Sequence, residues 1–309
     1  MAPRPLIIDC DPGVDDAVAL LLAFAAPDAL DILGITTVAG NVSGALTAQN
    51  ACIVRAIAGR EDVPVFAGAD RPLLAEAVEA GHFHGKNGLG DLAFPAPSKG
   101  VERIGAVAFL AETLRAAAPA SITIAVTGPL TNVALALRAA PDAAQGVREI
   151  VLMGGARSEG GNITASAEFN IYADPHAAQM VFASGLPITA LGLDVTHQVR
   201  TNPARMARLE ALGAARARAV CQFLRFGERV EREHAGQEGA PLHDPAVIAY
   251  LLAPEAFETV AAEIAVETES ALTRGHTAVE FRISKPSVAR WGVRADADAV
   301  FHLIARRLA

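Results

Sequence analysis

The sequence predicts an α/β fold with a single-domain, open, mostly parallel, doubly wound sheet. Short apolar runs of strand length alternate with longer stretches of helical period along most of the chain. This alternation favours parallel strands that are joined by crossover helices. A length of 309 residues would also allow two domains, but no linker-like change of composition divides the chain. We therefore expect one domain over residues 1–309.

The N-terminal segment predicts a strand, a tight turn and a helix. Residues 6–8 form an apolar run, Pro12-Gly13 favours a turn, and a helical pattern follows to about Phe24. Four carboxylates lie between the strand and the body of the helix. They are Asp9, Asp11, Asp15 and Asp16.

The remaining elements follow the same alternation. Further strands are predicted at residues 32–40, 63–66, 122–127, 147–153, 187–193, 257–266 and 278–283. Helices are predicted at residues 45–58, 104–117, 175–185, 203–212, 214–234, 246–252 and 297–308, with Asp244 as the cap of the helix that follows it. The glycine-rich segment 81–90 has neither period, which is typical of a loop that can cover a site.

The four N-terminal carboxylates indicate a cation. Acidic side chains this close together repel one another, and burying them without a partner costs several kcal/mol. An all-oxygen ligand set selects calcium or magnesium over zinc. The structural alternative is that Asp15 and Asp16 only cap the helix, while Asp9 and Asp11 are solvated turn residues.

Several polar residues are predicted to meet at one edge of the sheet. In an open α/β sheet the ligand crevice lies outside the carboxyl ends of the strands. Five residues fall at such ends in the predicted element order: Asp9, Asp11, Asn41, Thr127 and Met153. The sequence therefore predicts a ligand site there, independently of any family resemblance.

Composition narrows the class of partner. The net charge is −8 and the chain has only three lysines. The sequence therefore shows no basic patch of the kind that binds nucleic acid or an anionic membrane. Cys10, Cys52 and Cys221 are far apart, which favours buried free thiols over disulfides or a zinc site. No signal peptide or membrane-spanning run is recognisable. We expect a cytoplasmic protein that binds a neutral small molecule.

An N-terminal signature and six further motifs, in order along nearly the whole chain, resemble those of the inosine–uridine-preferring nucleoside hydrolases. The N-terminal signature is Asp9-Cys10-Asp11-Pro12-Gly13-Val14-Asp15-Asp16, and the others are Val38-Ala39-Gly40-Asn41, His82-Phe83-His84-Gly85, Thr127-Gly128-Pro129-Leu130-Thr131-Asn132, Leu152-Met153-Gly154-Gly155 with Ala167-Glu168-Phe169-Asn170, and His243-Asp244-Pro245. The resemblance implies a Rossmann-like fold, a homodimer or homotetramer, and calcium-dependent hydrolysis of the N-glycosidic bond of ribonucleosides, as in purine or pyrimidine salvage and ribonucleoside catabolism.

The resemblance also implies roles for residues. The cation would be held by Asp11, Asp16, Asp244 and the Thr127 carbonyl. Ribose would be bound by Asp15, Asn41, Asn162, Glu168 and Asn170, with Met153 lining the pocket and with His84 and His243 near the base. Asp9 would support the site through hydrogen bonds rather than as a ligand.

The chemistry of such a reaction suits these residue types. Cleavage leaves an oxocarbenium-like sugar, so the site needs negative charge, an activated water and an acid for the departing base. Calcium acidifies bound water less than zinc does, so a carboxylate base is also needed. We expect Asp11 to activate the metal-bound water and His243 to help protonate the base.

One departure from the family concerns the base pocket. Some relatives present a tryptophan next to the calcium-ligating aspartate, whereas this chain has His243 there and its only tryptophan is Trp291. Residues 225–239, where relatives can offer a tyrosine, contain none. A pocket that only stacks purines is therefore disfavoured.

Two other functions fit parts of the sequence. A strand-end Asp9-Cys10-Asp11 also suits a magnesium phosphohydrolase of the haloacid-dehalogenase type, although Pro12-Gly13 replaces the Thr or Val context expected there. A nucleoside- or ribose-binding protein without turnover would keep the calcium site. Hydrolysis of p-nitrophenyl phosphate would favour the first alternative, and nucleoside binding without release of base would favour the second.

Overall fold

A computed structural model describes residues 2–283 and 287–309 and contains a large sheet with helices on both faces. The strands are β1 (Arg4–Cys10), β2 (Leu30–Thr37), β3 (Val65–Ala67), β4 (Ile122–Val126), β5 (Val147–Met153), β6 (Ile188–Leu191), β7 (Phe257–Ala261), β8 (Glu263–Val266), β9 (Thr277–Glu280) and β10 (Ala289–Ala295). The helices are α1 (Val14–Phe24), α2 (Gly44–Ile57), α3 (Gly81–His84), α4 (Ala106–Ala116), α5 (Thr131–Ala139), α6 (Phe169–Ala173), α7 (Pro175–Phe182), α8 (Leu193–Thr196), α9 (Pro203–Glu210), α10 (Ala215–Ala235), α11 (Asp244–Leu252) and α12 (Ala297–Leu308).

The large sheet has eight strands in the order β3-β2-β1-β4-β5-β6-β10-β7. Every neighbouring pair is parallel except β10 and β7. The predicted open, mostly parallel, doubly wound sheet is therefore confirmed. The strand order reverses between β1 and β4, and such a reversal opens a crevice at the carboxyl ends of the two strands.

Alternating side chains of β1 enter two different cores. Leu6 and Ile8 belong to the apolar core on the face covered by α1, α10, α11 and α12, whereas Ile7 belongs to the core with α4, α5 and α7. Successive side chains of a strand point to opposite faces, so a strand covered on both sides reads as a continuous apolar run. This explains why β1 is recognisable in the sequence although it shows no polar alternation.

The C-terminal strands differ from the prediction. The predicted strand 257–266 is two strands, β7 and β8, and only β7 joins the large sheet. The predicted strand 278–283 corresponds to β9, which pairs with β8 in a separate antiparallel sheet. The sequence analysis missed β10, because Arg290, Gly292 and Arg294 interrupt its apolar pattern. Its third residue, Trp291, is nevertheless completely buried.

Two helix starts also differ from the prediction. Gly13, rather than Asp15 or Asp16, occupies the cap position of α1, and the third helical residue, Asp16, accepts a hydrogen bond from the Gly13 N–H at 3.0 Å. His243 occupies the cap position of α11, and Asp244 is its first helical residue. Both shifts leave the aspartates inside the first helical turn, where the N–H groups of the turn favour negative charge.

The expected state of the cysteines is confirmed, since Cys10, Cys52 and Cys221 are all buried free thiols. Within residues 2–283 and 287–309, none of the helices combines the length and the apolar character needed to cross a bilayer. The segment 81–90, predicted as a loop, begins with the short helix α3.

We predict that Trp291→Ala lowers the free energy of unfolding by about 3–5 kcal/mol, because it removes a large, completely buried side chain from β10. Urea unfolding followed by circular dichroism measures the change. The matched control is Leu272→Ala at a side chain that is 86% exposed, which should change stability by less than about 0.5 kcal/mol. Equal stability of the two variants would contradict the burial of Trp291 within the large sheet.

Candidate active site

The crevice between β1 and β4 opens into a cavity of about 410 Å³. Its floor contains Asp15, Asn41, Thr127 and Asp244. All of the site residues predicted from the sequence line this cavity except Asp11 and Asp16, which are completely buried and hydrogen-bonded to its floor. The prediction that they meet at the carboxyl ends of the strands therefore agrees with their positions.

The buried carboxylates are held by neighbouring donors. Asp11 Oδ2 accepts a hydrogen bond from the Asn41 N–H at 2.8 Å. The two oxygens of Asp16 accept hydrogen bonds from the Thr127 hydroxyl at 2.7 Å and from the Asn41 amide at 3.0 Å. Residues from the ends of β1, β2 and β4 thus converge on two carboxylates.

The donor set fits a hard divalent cation. Ligand oxygens of Asp15, Asp16 and Asp244 all lie within 4.8 Å of one another. Asp11 Oδ1 and Asp15 Oδ1 are buried, and neither has a hydrogen-bond partner within the described part of the chain. Buried carboxylate oxygens without a donor are costly unless a cation compensates them. The cluster could therefore bind a metal ion, and oxygen ligands favour calcium or magnesium.

The pKa values of the carboxylates also indicate that the cluster needs a cation. Burial raises the pKa of Asp16 to about 6, helped by the nearby Asp15 carboxylate. Burial is also the main reason why the pKa values of Asp11, Asp15 and Asp244 lie above their usual range. Without a cation, burial thus disfavours the ionised form of each of these carboxylates relative to an exposed aspartate.

Asp9 lies beneath this cluster. It is completely buried and accepts hydrogen bonds from the Thr36 hydroxyl at 2.5 Å and from the Asn132 amide at 2.8 Å. The same Asn132 amide group donates to the Thr37 carbonyl, which ties β2 to the start of α5. These contacts agree with the supporting role expected for Asp9.

The opposite side of the cavity carries uncharged donors and one carboxylate. Glu168 caps α6 and accepts hydrogen bonds from the N–H groups of Asn170 and Gly155, both at 2.9 Å. The Asn170 amide donates to the carbonyl oxygens of Thr127 at 2.8 Å and Met153 at 3.2 Å. Its amide therefore links the ends of β4 and β5.

The position of Asn162 is set by a single contact. Its Oδ1 accepts a hydrogen bond from the Phe169 N–H at 2.9 Å. The residue itself is exposed at the cavity edge. Its side-chain amide nitrogen therefore remains available to a ligand.

Two histidines of the cavity are each engaged through Nδ1. His84 Nδ1 accepts a hydrogen bond from the Val14 N–H at 3.2 Å. His243 Nδ1 lies 2.9 Å from the Thr196 hydroxyl. Burial lowers the pKa of His84 to about 4 and that of His243 to about 3, so both imidazoles are neutral at physiological pH. His84 Nδ1 also lies 3.7 Å from an Asp15 oxygen, but a neutral ring that accepts from a backbone donor forms no ion pair.

Sequence analysis missed one wall of the cavity. It is formed by His82, Phe83, His197, Arg200, Glu231, His234 and Gln237. Arg200 and Glu231 form an ion pair at 2.9 Å, and the rings of Phe83 and His234 lie 5.3 Å apart. The only signal for this wall was that His82 and Phe83 flank His84 in the same motif. The rest comes from residues far apart in the sequence.

Comparison with known proteins decides the family. The model of the inosine-uridine preferring nucleoside hydrolase family matches residues 6–302. The chain belongs to this family. The pyrimidine-specific ribonucleoside hydrolase RihA of Salmonella gallinarum is 43% identical to this nucleoside hydrolase over 308 residues, which cover 98% of each chain. An uncharacterized protein of Schizosaccharomyces pombe is 47% identical over 276 residues, or 89% of each chain.

Solved structures give the same family. A plant nucleoside hydrolase, the PpNRh1 enzyme, matches 99% of each chain with a TM-score of 0.91 and 31% identity. A purine-preferring ribonucleoside hydrolase from Gardnerella vaginalis matches 99% of this chain and 98% of its own with a TM-score of 0.92 and 30% identity. The expectation of a ribonucleoside hydrolase is confirmed, and the phosphohydrolase and non-catalytic alternatives are not favoured.

We predict that Asp16 lowers the stability of the metal-free enzyme, relative to Asp16→Asn, as the pH rises from about 4 through about 6. Asp16 has a folded-state pKa of about 6 against an ordinary 3.8, so its protonated form stabilises the fold at low pH and this contribution is lost as the pH passes the raised value. After chelation, the Tm of wild type minus the Tm of Asp16→Asn should therefore be lower at about pH 6.5 than at about pH 4.5, while His84 and His243, whose lowered pKa values act in the opposite direction, are present in both proteins. Added calcium should raise the Tm of wild type more at about pH 6.5 than at about pH 4.5, because ionised carboxylates bind it.

Two matched variants test whether Asp16 is responsible. Asp16→Asn should lack the Asp16 part of the pH dependence of the Tm and should lose most of the calcium effect. Asp142→Asn, at an exposed aspartate paired with Arg115, should behave as wild type in both respects. A Tm difference between metal-free wild type and Asp16→Asn that is the same at about pH 4.5 and about pH 6.5 would contradict the assignment of the cluster.

Proposed function

We propose that this enzyme hydrolyses the N-glycosidic bond of pyrimidine ribonucleosides with calcium bound by Asp11, Asp16, Asp244 and the Thr127 carbonyl. The observation that carries the proposal is the set of buried carboxylates with partnerless oxygens beneath a cavity of about 410 Å³, a volume within the usual range of small-molecule sites. The hydrolase class follows from the family; the metal, the base and the roles of residues are the proposal.

Calcium is the cation that suits this donor set best. The carboxylates and the carbonyl supply only part of a shell of 6–8 oxygens, so ribose hydroxyls and water can complete it. A divalent cation there would acidify a water molecule and attract hydroxyl oxygens. Asp15 is close enough to Asp16 and Asp244 to contribute to the same charge cluster, while its position on the cavity floor suits it to hold the ribose 2′-hydroxyl.

Asp11 is the proposed general base. It accepts one proton from the attacking water as the oxygen bonds to C1′ and the bond from C1′ to the base breaks. The departing base takes up one proton from solvent, and Asp11 later returns its proton to solvent, so the overall hydrolysis releases no net proton. The buried carboxylates and Glu168 stabilise the positive charge that develops on the sugar, because the cavity floor excludes most water.

His243 is the proposed group that assists the leaving base. Because burial keeps its imidazole neutral, it acts by donating a hydrogen bond to the departing base rather than as a preformed cation. His84 lines the same cavity, with its Nδ1 3.7 Å from an Asp15 oxygen, and would orient the base. Asn41, Asn162 and Asn170 would position ribose, with Met153 lining the pocket.

The preference for a pyrimidine rests on two observations. RihA, a pyrimidine-specific enzyme by name, is 43% identical over almost the whole of both chains. The cavity wall carries the polar Arg200, Glu231 and Gln237, and the described residues that line it include no tryptophan or tyrosine. The polar groups can hydrogen-bond the edge of a small base, while the Phe83 and His234 rings of the same wall offer smaller faces than the indole of a tryptophan. The expected homo-oligomer and cytoplasmic location stay predictions from the sequence.

A substrate panel tests the proposed function. Uridine and cytidine should have a higher kcat/KM than inosine, measured as reducing sugar released. 2′-Deoxyuridine should be at least about 100-fold poorer than uridine, because it leaves buried polar groups of the ribose site unpaired. Cleavage of inosine alone would contradict the base preference. Equal kcat/KM for uridine and 2′-deoxyuridine would show that the ribose assignments are wrong.

A substrate whose leaving group needs no hydrogen-bond donor distinguishes a catalytic role of His243 from a structural one. We predict that His243→Ala lowers kcat for uridine by about 10²–10⁴-fold, because the base departs without its donor. Turnover of p-nitrophenyl riboside and the calcium content should change little, because nitrophenolate leaves unaided. The matched control is His302→Ala on the surface of α12. A parallel loss on both substrates would remove His243 from this role.

A further inference from the structure

We propose that Thr196 is a positioning residue that holds His243 in the tautomer whose Nε2 carries the proton, so that an N–H donor is presented to the leaving base. The inference rests on the proposed role of His243 but concerns a residue outside the family motifs found in the sequence. The Thr196 hydroxyl is buried, and the direction of its hydrogen bond with His243 decides which ring nitrogen carries the proton.

The contact has two possible directions. Thr196 Oγ1 and His243 Nδ1 lie 2.9 Å apart. Either the hydroxyl donates to Nδ1, which leaves the ring proton on Nε2, or Nδ1–H donates to the hydroxyl, which leaves Nε2 as an acceptor.

The surroundings of the hydroxyl favour the first direction. Thr196 is completely buried, and His243 Nδ1 is the only hydrogen-bond partner of its Oγ1 among residues 2–283 and 287–309. If Nδ1–H were the donor, the hydroxyl proton would be buried without an acceptor, which is costly. The hydroxyl therefore donates to Nδ1, and the ring proton lies on Nε2.

The other ring nitrogen is free for a ligand. His243 lines the cavity, and its Nε2 has no hydrogen-bond partner within the described ranges. It is also not among the polar atoms sealed from solvent. With Nδ1 occupied by Thr196, the ring can offer only Nε2–H to the departing base.

The helix that carries Thr196 is firmly held. The Asp194 carboxylate accepts hydrogen bonds from the N–H groups of Arg157 and Ser158, both at 2.7 Å. At the start of α8, a Cβ on Gly192 would lie 2.4 Å from the Trp291 ring, so only glycine permits this close packing against β10. These contacts hold the hydroxyl in place on one side of the His243 ring.

A conservative pair of variants tests the hydroxyl. Thr196→Val keeps the branched shape and removes the donor, so kcat for uridine should fall about 10- to 100-fold, as is typical when the partner of a functional histidine is removed. KM and the turnover of p-nitrophenyl riboside should stay within about threefold of wild type. Thr196→Ser should restore uridine turnover. Thr123→Val is the matched control, since its buried hydroxyl has no hydrogen-bond partner within the described chain.

Three results would overturn the proposal. They are wild-type uridine turnover in Thr196→Val, equal losses on both substrates, and a Thr196→Ser variant as impaired as Thr196→Val. The first would show that the donor is dispensable. The second would indicate a general structural role, and the third would show that the hydroxyl is not the cause.

A direct measurement on the wild-type enzyme does not depend on how the variants fold. Long-range ¹H–¹⁵N correlation with labelled imidazoles reports which nitrogen of each neutral histidine carries the proton, and His243→Gln assigns the His243 signals. A proton on Nε2 supports the proposal, whereas one on Nδ1 overturns it. If wild type cleaves no nucleoside, the proposed function fails, while this spectrum still decides the role of Thr196.

Discussion

Burial of several carboxylates at one point of the sheet is the constraint on which the rest of this structure depends. The reversal of strand order between β1 and β4 brings Asp11, Asp16 and Thr127 together where water is excluded. A charge buried there must be compensated by hydrogen-bond donors or by a cation. The Asn41 N–H, the Thr127 hydroxyl and the first turn of α1 supply part of the compensation, and the partnerless oxygens leave a place for a metal.

Another buried carboxylate, that of Asp9, is also compensated by hydrogen-bond donors. Asp9, Thr36 and Asn132 form a buried network directly beneath the carboxylates. Both hydrogen bonds to Asp9 reach its Oδ1, while its Oδ2 is buried without a partner within the described chain. Hydrogen bonds in a low-dielectric interior hold their members in one geometry. In this enzyme that network ties the ends of β1 and β2 to α5, so the carboxylates are positioned by secondary structure rather than by flexible loops.

The base side of the cavity is built differently. His243 stands at the start of α11 but takes its orientation from α8, a four-residue helix that packs against Trp291 of β10. The ring proposed to assist the leaving base is therefore coupled to a strand near the far edge of the sheet. Arg200 and Glu231 add an ion pair to the cavity wall that lies outside the recognised motifs. Different elements thus supply the carboxylate cluster and the histidine side of the cavity.

Patterns in the sequence predicted the fold class and the carboxylates that follow β1, whereas Asp244 was assigned to the site only through the family resemblance. Local signals were sufficient for the carboxylates after β1, because β1 reads as an apolar run and they follow it within a few residues. The tertiary structure decided that β10 joins the large sheet, since Arg290 and Arg294 interrupt its pattern while Trp291 is buried by distant elements. It also decided the partner of His243, which lies 47 residues away in the chain. Such contacts depend on how packed elements meet, and no local pattern of residues encodes them.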